Sequence, residues 1–236
     1  MFDFLKKKRP FCTAIIVAAG NSTRMQQDKT TMLLQGKSVI ERTLFVFENC
    51  GCIDEVILVT KAESIEALAD LVKESGFKKV SKVVCGGKTR TESCLAGCMA
   101  ANRKAKLIAI HDGARPFVTE DIIQNAVEAA SVYKNVAPAI KGADTLRVAD
   151  DEFVTAELDR DSVVKIQTPQ VFDADIIKGA LSYVIGKDIA VTDDCSAVAL
   201  LGFKTKLIPG DADNIKLTTP KDLKLAELIL QQRGEA

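Results

Sequence analysis

Five short apolar runs, at residues 14–19, 56–60, 80–84, 107–110 and 136–140, alternate with helix-period stretches at 38–47, 64–75, 91–103 and 119–131. Runs of this length read as strands buried on both faces, as parallel strands covered by helices are. A strand series joined by helical crossovers is solved by one architecture: an α/β fold with a doubly wound, mostly parallel sheet and right-handed connections. Ser38, with Glu41 three residues on, and Thr119 stand where helix N-caps belong. In such sheets ligands bind at the carboxyl ends of the strands, which is where functional loops are expected.

The alternation breaks after residue 140. Residues 144–167 place β-branched and apolar side chains between charges around Ala149-Asp150-Asp151-Glu152, the pattern of an exposed β-hairpin. A protruding arm over about residues 141–168 is therefore expected, serving as a dimerisation arm or as a solvated excursion. Beyond it a helix is expected near 172–183, another after Thr192, a strand at 204–209 and a closing helix opened by Pro220. At 236 residues the chain suits a single domain over 1–236.

Thirty-two Lys and Arg balance thirty-two Asp and Glu, so no global field draws nucleic acid or a membrane surface, and any phosphate site must be local. Seven cysteines without CxxC pairs, and a single histidine, argue for a reducing compartment and against a zinc site or disulfide framework. The basic first residues lack the apolar run of a signal peptide, and no segment is long enough to span a bilayer; a cytoplasmic location is the expectation.

Residues 15–29, IIVAAGNSTRMQQDK, carry a strand into Ala18-Ala19-Gly20 and then into a polar loop with Arg24 and Lys29. Small residues let backbone N–H groups approach a triphosphate and the two cations supply charge; a tight turn with two solvated cations is the alternative. No Gly-Lys-Ser/Thr follows, so this is not a Walker loop. Residues 85–93, CGGKTRTES, leave the third strand and open a helix, with Gly87 permitting close approach and Ser93 able to bond a base edge; an ordinary glycine-rich turn reads equally well. His111-Asp112-Gly113-Ala114-Arg115-Pro116 leaves the fourth strand. Asp112 there suits Mg²⁺, which takes one or two carboxylates and fills its shell with phosphate and water, or serves as a capping carboxylate. For His111 a core or turn role is expected. Arg160, near Gln167-Thr168-Pro169-Gln170, could clamp a phosphate or form a surface salt bridge. The turn Gly210-Asp211-Ala212-Asp213-Asn214-Ile215-Lys216 could complete a metal and phosphate site or be a plain acidic loop.

Taken together, AAGNSTRM, GGKTRTES, HDGARPFV, DTLRV, LDR, QTPQVF and GDADNIKLTTPKDL occur in an order that resembles the 2-C-methyl-D-erythritol 4-phosphate cytidylyltransferase family, from Ala14 to the last helix. The resemblance implies a Rossmann-like nucleotidyltransferase that is homodimeric and Mg²⁺-dependent, joining CTP to the sugar-alcohol phosphate with release of pyrophosphate. It further implies that Arg24, Lys29 and Lys216 are catalytic cations and that Ala18, Ala19, Gly20, Gly87, Ser93 and Asp112 meet the nucleotide, Asp112 also holding the metal. Arg115, Thr145, Arg160 and Asp213 would meet the sugar phosphate, Thr145 and Arg160 reaching in from a partner's arm. Lys29 follows Arg24 after five residues where the family usually has seven, a spacing similar to that of the nucleotidyltransferases of molybdenum cofactor assembly. Ribitol 5-phosphate cytidylyltransferases share the QTPQVF and DNIKLTTPKDL endings, while HDGARPF and LDR favour the methylerythritol phosphate enzymes. A catalytically silent nucleotide-binding homologue is the remaining alternative.

Overall fold

The computed structural model describes residues 9–20 and 32–234. Its centre is an eight-stranded sheet. Strands β1 (Cys12–Val17), β4 (Glu55–Thr60), β5 (Val80–Cys85) and β6 (Leu107–Asp112) run parallel in the order β6-β1-β4-β5. A small hairpin, β2 (Leu33–Leu34) with β3 (Lys37–Ser38), precedes the first helix.

The helices α1 (Val39–Asn49), α2 (Ile65–Glu74), α3 (Arg90–Ala100) and α4 (Glu120–Tyr133) fall where the periodicity puts them. Ser38 accepts from the Glu41 N–H while the Glu41 carboxylate accepts from the Ser38 N–H, a closed capping box, and Thr119 caps α4 through the Ile122 N–H. Along β1 the side chains alternate between two cores. Ala14 and Ile16 pack with α1 and α4 on one face, while Ile15 faces Cys94 and Cys98 of α3 on the other. Gly97 is required in α3 because a Cβ there would overlap Ile15 and Val59, so the helix lies unusually close to the sheet.

Three departures from the expected strand order have physical reasons. Residues 80–84 were expected to be buried on both faces, but β5 is the edge strand and only partly covered. The helix expected from 172 begins at Ala174 as α5 (Ala174–Gly186), because residues before it form an antiparallel strand, β11 (Gln170–Asp173), inserted between β6 and β7 (Asn135–Lys141). Apolar residues at 171 and 172 fit either structure, and a pairing with distant partners leaves no local mark.

The arm is also shorter than 141–168. The exposed hairpin comprises β8 (Arg147–Asp150) and β9 (Phe153–Glu157), whereas β10 (Val164–Ile166) rejoins the main sheet against β7. A cis peptide at Thr168-Pro169 separates β10 from β11. On the opposite edge of β7 lies β12 (Lys206–Pro209), following α6 (Asp194–Leu200). Helix α7 (Pro220–Gln232), with Pro220 in its first turn, closes over a third small core containing Leu34, Phe117 and Leu217. No helix among the described residues is long and apolar enough to cross a membrane.

Candidate active site

The glycine-rich loop after β5 is held by the first turn of α3. Thr89 caps that helix, and the Glu92 carboxylate accepts from the N–H groups of Lys88 and Thr89. Gly87 N–H donates to Ser93 Oγ at 3.1 Å, while the Ser93 hydroxyl donates to Thr89 O at 2.9 Å. A Cβ on Gly86 would stand 2.6 Å from the Ala19 Cβ, so the β5 loop can meet Ala18-Ala19-Gly20 only with no side chain at that point. Between these loops opens a cleft of about 530 Å³ whose floor includes Asp112 and Lys216.

Asp112 ends β6 opposite Val17 of β1, at the carboxyl edge of the sheet. Three cations converge on its carboxylate: Lys216 Nζ at 2.9 Å, Arg115 Nε at 3.5 Å and Arg90 Nε at 3.5 Å. Burial alone would raise its pKa, but Lys216, Arg90 and Arg115 overcome that and hold it well below the usual carboxylate range. Arg90 is anchored from behind by Asp194, which is 1% exposed and 2.8 Å from its guanidinium. Burial works against the Arg90 charge, and the carboxylates of Asp194 and Asp112 keep it protonated.

His111, fully buried beside Phe47, has its place fixed by its partners. Arg115 O lies 3.1 Å from Nε2 and can only accept, so Nε2 carries the proton. Nδ1 then accepts from the Thr168 hydroxyl at 3.0 Å, and Thr168 Oγ1 in turn accepts from the Asp112 N–H at 3.2 Å. Burial pushes the imidazole down to about 4, so it is neutral near pH 7. This is the core or turn role expected of His111: packed in β6 against Phe47, it ties Asp112, Arg115 and Thr168 into one rigid unit.

A second cleft of about 390 Å³ adjoins the first and shares Arg90, Asp112 and Lys216 with it. Arg115, Thr168, Gln170, Thr192, Asp193 and Ser196 form the rest of its polar lining. Gln170 donates to Asp193 at 2.8 Å and accepts from the Cys195 N–H at 3.1 Å, which fixes the start of α6 against β11. Asn214 donates to Thr168 O at 2.9 Å and its own carbonyl accepts from Arg115, so the 210–216 loop is laced to the 167–170 turn and delivers Lys216 inward.

Ala18, Ala19, Gly20, Gly87, Ser93, Asp112 and Lys216 thus line one cleft, and Arg115 lines its neighbour. Asp213 does not: its carboxylate faces Arg233 at 3.9 Å. Thr145 and Arg160 are exposed on the arm and its return, and among the described residues Arg160 forms no salt bridge, although a surface pair was an expected alternative. Arg24 and Lys29 lie outside the described residues. Arg90 and Asp194 carried no expectation, although Arg90 stands inside the quoted GGKTRTES motif. A lone Arg opening a helix reads as solvated until a distant carboxylate is brought beneath it.

Among the described residues no three His, Cys, Asp or Glu side chains converge as a metal cluster. Asp112 is the one carboxylate that lines both clefts among the described residues; with Lys216, Arg115 and Arg90 already on it, a Mg²⁺ there would draw most of its ligands from phosphate oxygens and water.

The family model described as 2-C-methyl-D-erythritol 4-phosphate cytidylyltransferase (IspD) matches residues 12–232. The enzyme of that name from Caldanaerobacter subterraneus subsp. tengcongensis is 41% identical over 224 residues, 93% of this chain and 99% of that protein. Its counterpart from Alkaliphilus oremlandii is 38% identical over 94% of this chain and 96% of its own length. The crystal structure of 4-diphosphocytidyl-2C-methyl-D-erythritol synthase from Anaerococcus prevotii superposes with a TM-score of 0.85 at 32% identity, covering 94% of this chain and 96% of that one.

Proposed function

Because the chain belongs to the 2-C-methyl-D-erythritol 4-phosphate cytidylyltransferase family, we propose that its two adjoining clefts hold CTP and the sugar-alcohol phosphate on either side of Asp112. It is a nucleotidyltransferase that makes 4-diphosphocytidyl-2-C-methyl-D-erythritol in non-mevalonate isoprenoid biosynthesis. The observation that carries the residue-level reading is the floor common to both clefts, where Arg90 and Lys216 stand beside one buried carboxylate.

CTP enters the larger cleft. Ala18, Ala19, Gly20 and Gly87 leave the backbone open to the nucleotide, and Ser93 Oγ, with its proton committed to Thr89, keeps acceptor capacity for a cytosine amino group. The acceptor's phosphate enters the smaller cleft beside Arg115, Thr168 and Thr192. Its oxygen attacks the α-phosphorus of CTP in line: the new P–O bond forms as the bond to the bridging oxygen breaks and pyrophosphate leaves. A phosphate nucleophile is already ionised near neutral pH, so the reaction has no need of a general base, consistent with a neutral, fully bonded His111.

Holding two polyanions together is the main cost, and preset cations meet it. Arg90 and Lys216 face both substrates from the shared floor, and the family pattern adds Arg24 and Lys29. Asp112 would hold Mg²⁺ with the phosphates, and the bound ion would neutralise phosphate charge. Thr145 and Arg160 serve the site of a second copy in a homodimer built through the arm. Exposed Phe153 and Val154 on β9 support that reading, since an apolar hairpin with no cover of its own suits an interface. Asp213 lies outside both clefts, its carboxylate 3.9 Å from Arg233.

The test is pyrophosphate release with CTP and Mg²⁺, offering methylerythritol phosphate and ribitol 5-phosphate in parallel. Turnover with the first acceptor and CTP alone is expected. Turnover with ribitol phosphate, or CTP binding without turnover, would overturn the assignment.

A further inference from the structure

At the end of the sheet away from the clefts, the turn from α1 into β4 reads Cys50-Gly51-Cys52. The two sulfurs lie 3.3 Å apart, close enough for one S–H to hydrogen-bond its neighbour. Cys50 is 2% exposed at the C-terminus of α1, Cys52 is half-buried and Gly51 is open to solvent, so one sulfur can be reached and the other waits behind it. The turn is tied down: Arg9 donates to Gly51 O at 2.8 Å and pairs with Asp54 at 2.6 Å, and Lys79 donates to Cys50 O at 2.8 Å. We propose that Cys50 and Cys52 form a vicinal dithiol, a redox-modification site that closes to a disulfide by exchange with a low-molecular-weight disulfide.

The chemistry balances with that one co-reactant. The Cys52 thiolate attacks one sulfur of the small disulfide, whose S–S bond breaks and whose second sulfur leaves as a thiolate and takes up the proton. Cys50 then attacks the Cys52 sulfur of the mixed disulfide and expels the other half as a second thiol. Two protein thiols are oxidised and one small disulfide is reduced to two thiols. The Sγ–Sγ contact favours the first ionisation of the pair, because the remaining S–H donates to the thiolate: it lowers Cys50 and raises Cys52, and the proton crosses the contact to Cys50 when the more exposed Cys52 attacks. A bridge spanning one intervening residue is strained and hence readily reduced, which suits a reversible site and not a structural one. The other buried thiols contrast with it: burial drives Cys12, Cys94 and Cys98 upward, and all three are 0% exposed, out of reach of a dissolved disulfide.

The full chain can be tested directly, since the tryptic peptide covering residues 43–61 contains both cysteines and no other. After exposure to oxidised glutathione and alkylation of remaining thiols, that peptide should lose both alkylation sites together, carry no glutathione and recover them on reduction. Cys50→Ser should instead retain glutathione on Cys52. Phenylarsine oxide, which requires two thiols, should bind either Cys50→Ser or Cys52→Ser roughly 100-fold more weakly than the parent, because the second bond forms intramolecularly. Circular dichroism on the same samples reports folding, and Cys52→Ser removes the more exposed partner if Cys50→Ser fails to fold. Full alkylation of the 43–61 peptide under conditions that oxidise exposed Cys85, glutathione retained by the parent, or equal arsenical binding by parent and single variants would each overturn the proposal.

Discussion

Lys216 Nζ lies 2.9 Å from Asp112 Oδ2, joining the 210–216 loop to the end of β6. The contact holds a lysine charge in the floor common to both clefts; on the proposed function it is in place before any substrate arrives, so little reorganisation is needed as charge builds on the transferred phosphorus. Lys216→Ala is expected to lower kcat by about 100-fold to 1,000-fold, the usual cost of one such electrostatic donor, with the circular dichroism spectrum unchanged. Steady-state pyrophosphate release checks it, and near-parental turnover would remove Lys216 from the mechanism.

Arg90 bonds Asp194 at 2.8 Å, and Asp194 itself is nearly inaccessible. Asp194 is therefore a positioning residue that acts through Arg90. Arg90→Gln should reduce kcat by about 100-fold, and Asp194→Asn by roughly 10-fold because Asp112 still holds the guanidinium. Since both changes act through one group, the double variant should be no slower than Arg90→Gln alone. Multiplying effects in the double-mutant cycle would mean that Asp194 works independently of Arg90.

The parallel core and its capped helices were legible because each is written locally, in apolar runs and in pairs such as Ser38 and Glu41. The loop motifs containing Ala18, Gly87, Asp112 and Lys216 were visible for the same reason, as small or charged residues at strand ends. The insertion of β11 between β6 and β7 was not, since its register pairs Val171 with Ala109 and Val136, residues far away in the chain. The Arg90 to Asp194 link was hidden likewise: it joins the first turns of α3 and α6, which meet only after the sheet has assembled. What the sequence withholds at this site is long-range pairing, not residue chemistry.

His111 makes stability depend on pH with a definite sign. The unfolded chain takes up a proton below about 6.5, whereas the folded imidazole does so only near 4. Between those values the unfolded state binds more protons, so stability falls as pH falls. The loss from this group should approach roughly 3 kcal/mol at the lower end of the window. Asp112, held below 3.8 when folded, adds its own loss only as pH falls below that point. Urea melts from pH 7 to pH 4 should show the slope in the parent and a flatter one in His111→Gln. Equal slopes in both proteins would mean that His111 is not the group responsible.

Gly97 sets two known effects against each other. In an exposed helix interior Gly→Ala gains about 1 kcal/mol, but here the added Cβ would overlap the side chains of Ile15 and Val59. Overpacking of that kind costs about 1–3 kcal/mol, so Gly97→Ala is expected to destabilise the fold on balance. Ile15→Ala alone opens a cavity beneath α3 and should cost about 2–5 kcal/mol. In the double variant the new methyl group enters that space, so its cost should fall short of the sum of the two single costs by at least about 0.5 kcal/mol. Urea midpoints with an unchanged m-value supply the comparison. Strict additivity, or a Gly97→Ala chain more stable than its parent, would show that helix and sheet separate freely at this contact and that the close approach is not what keeps a glycine there.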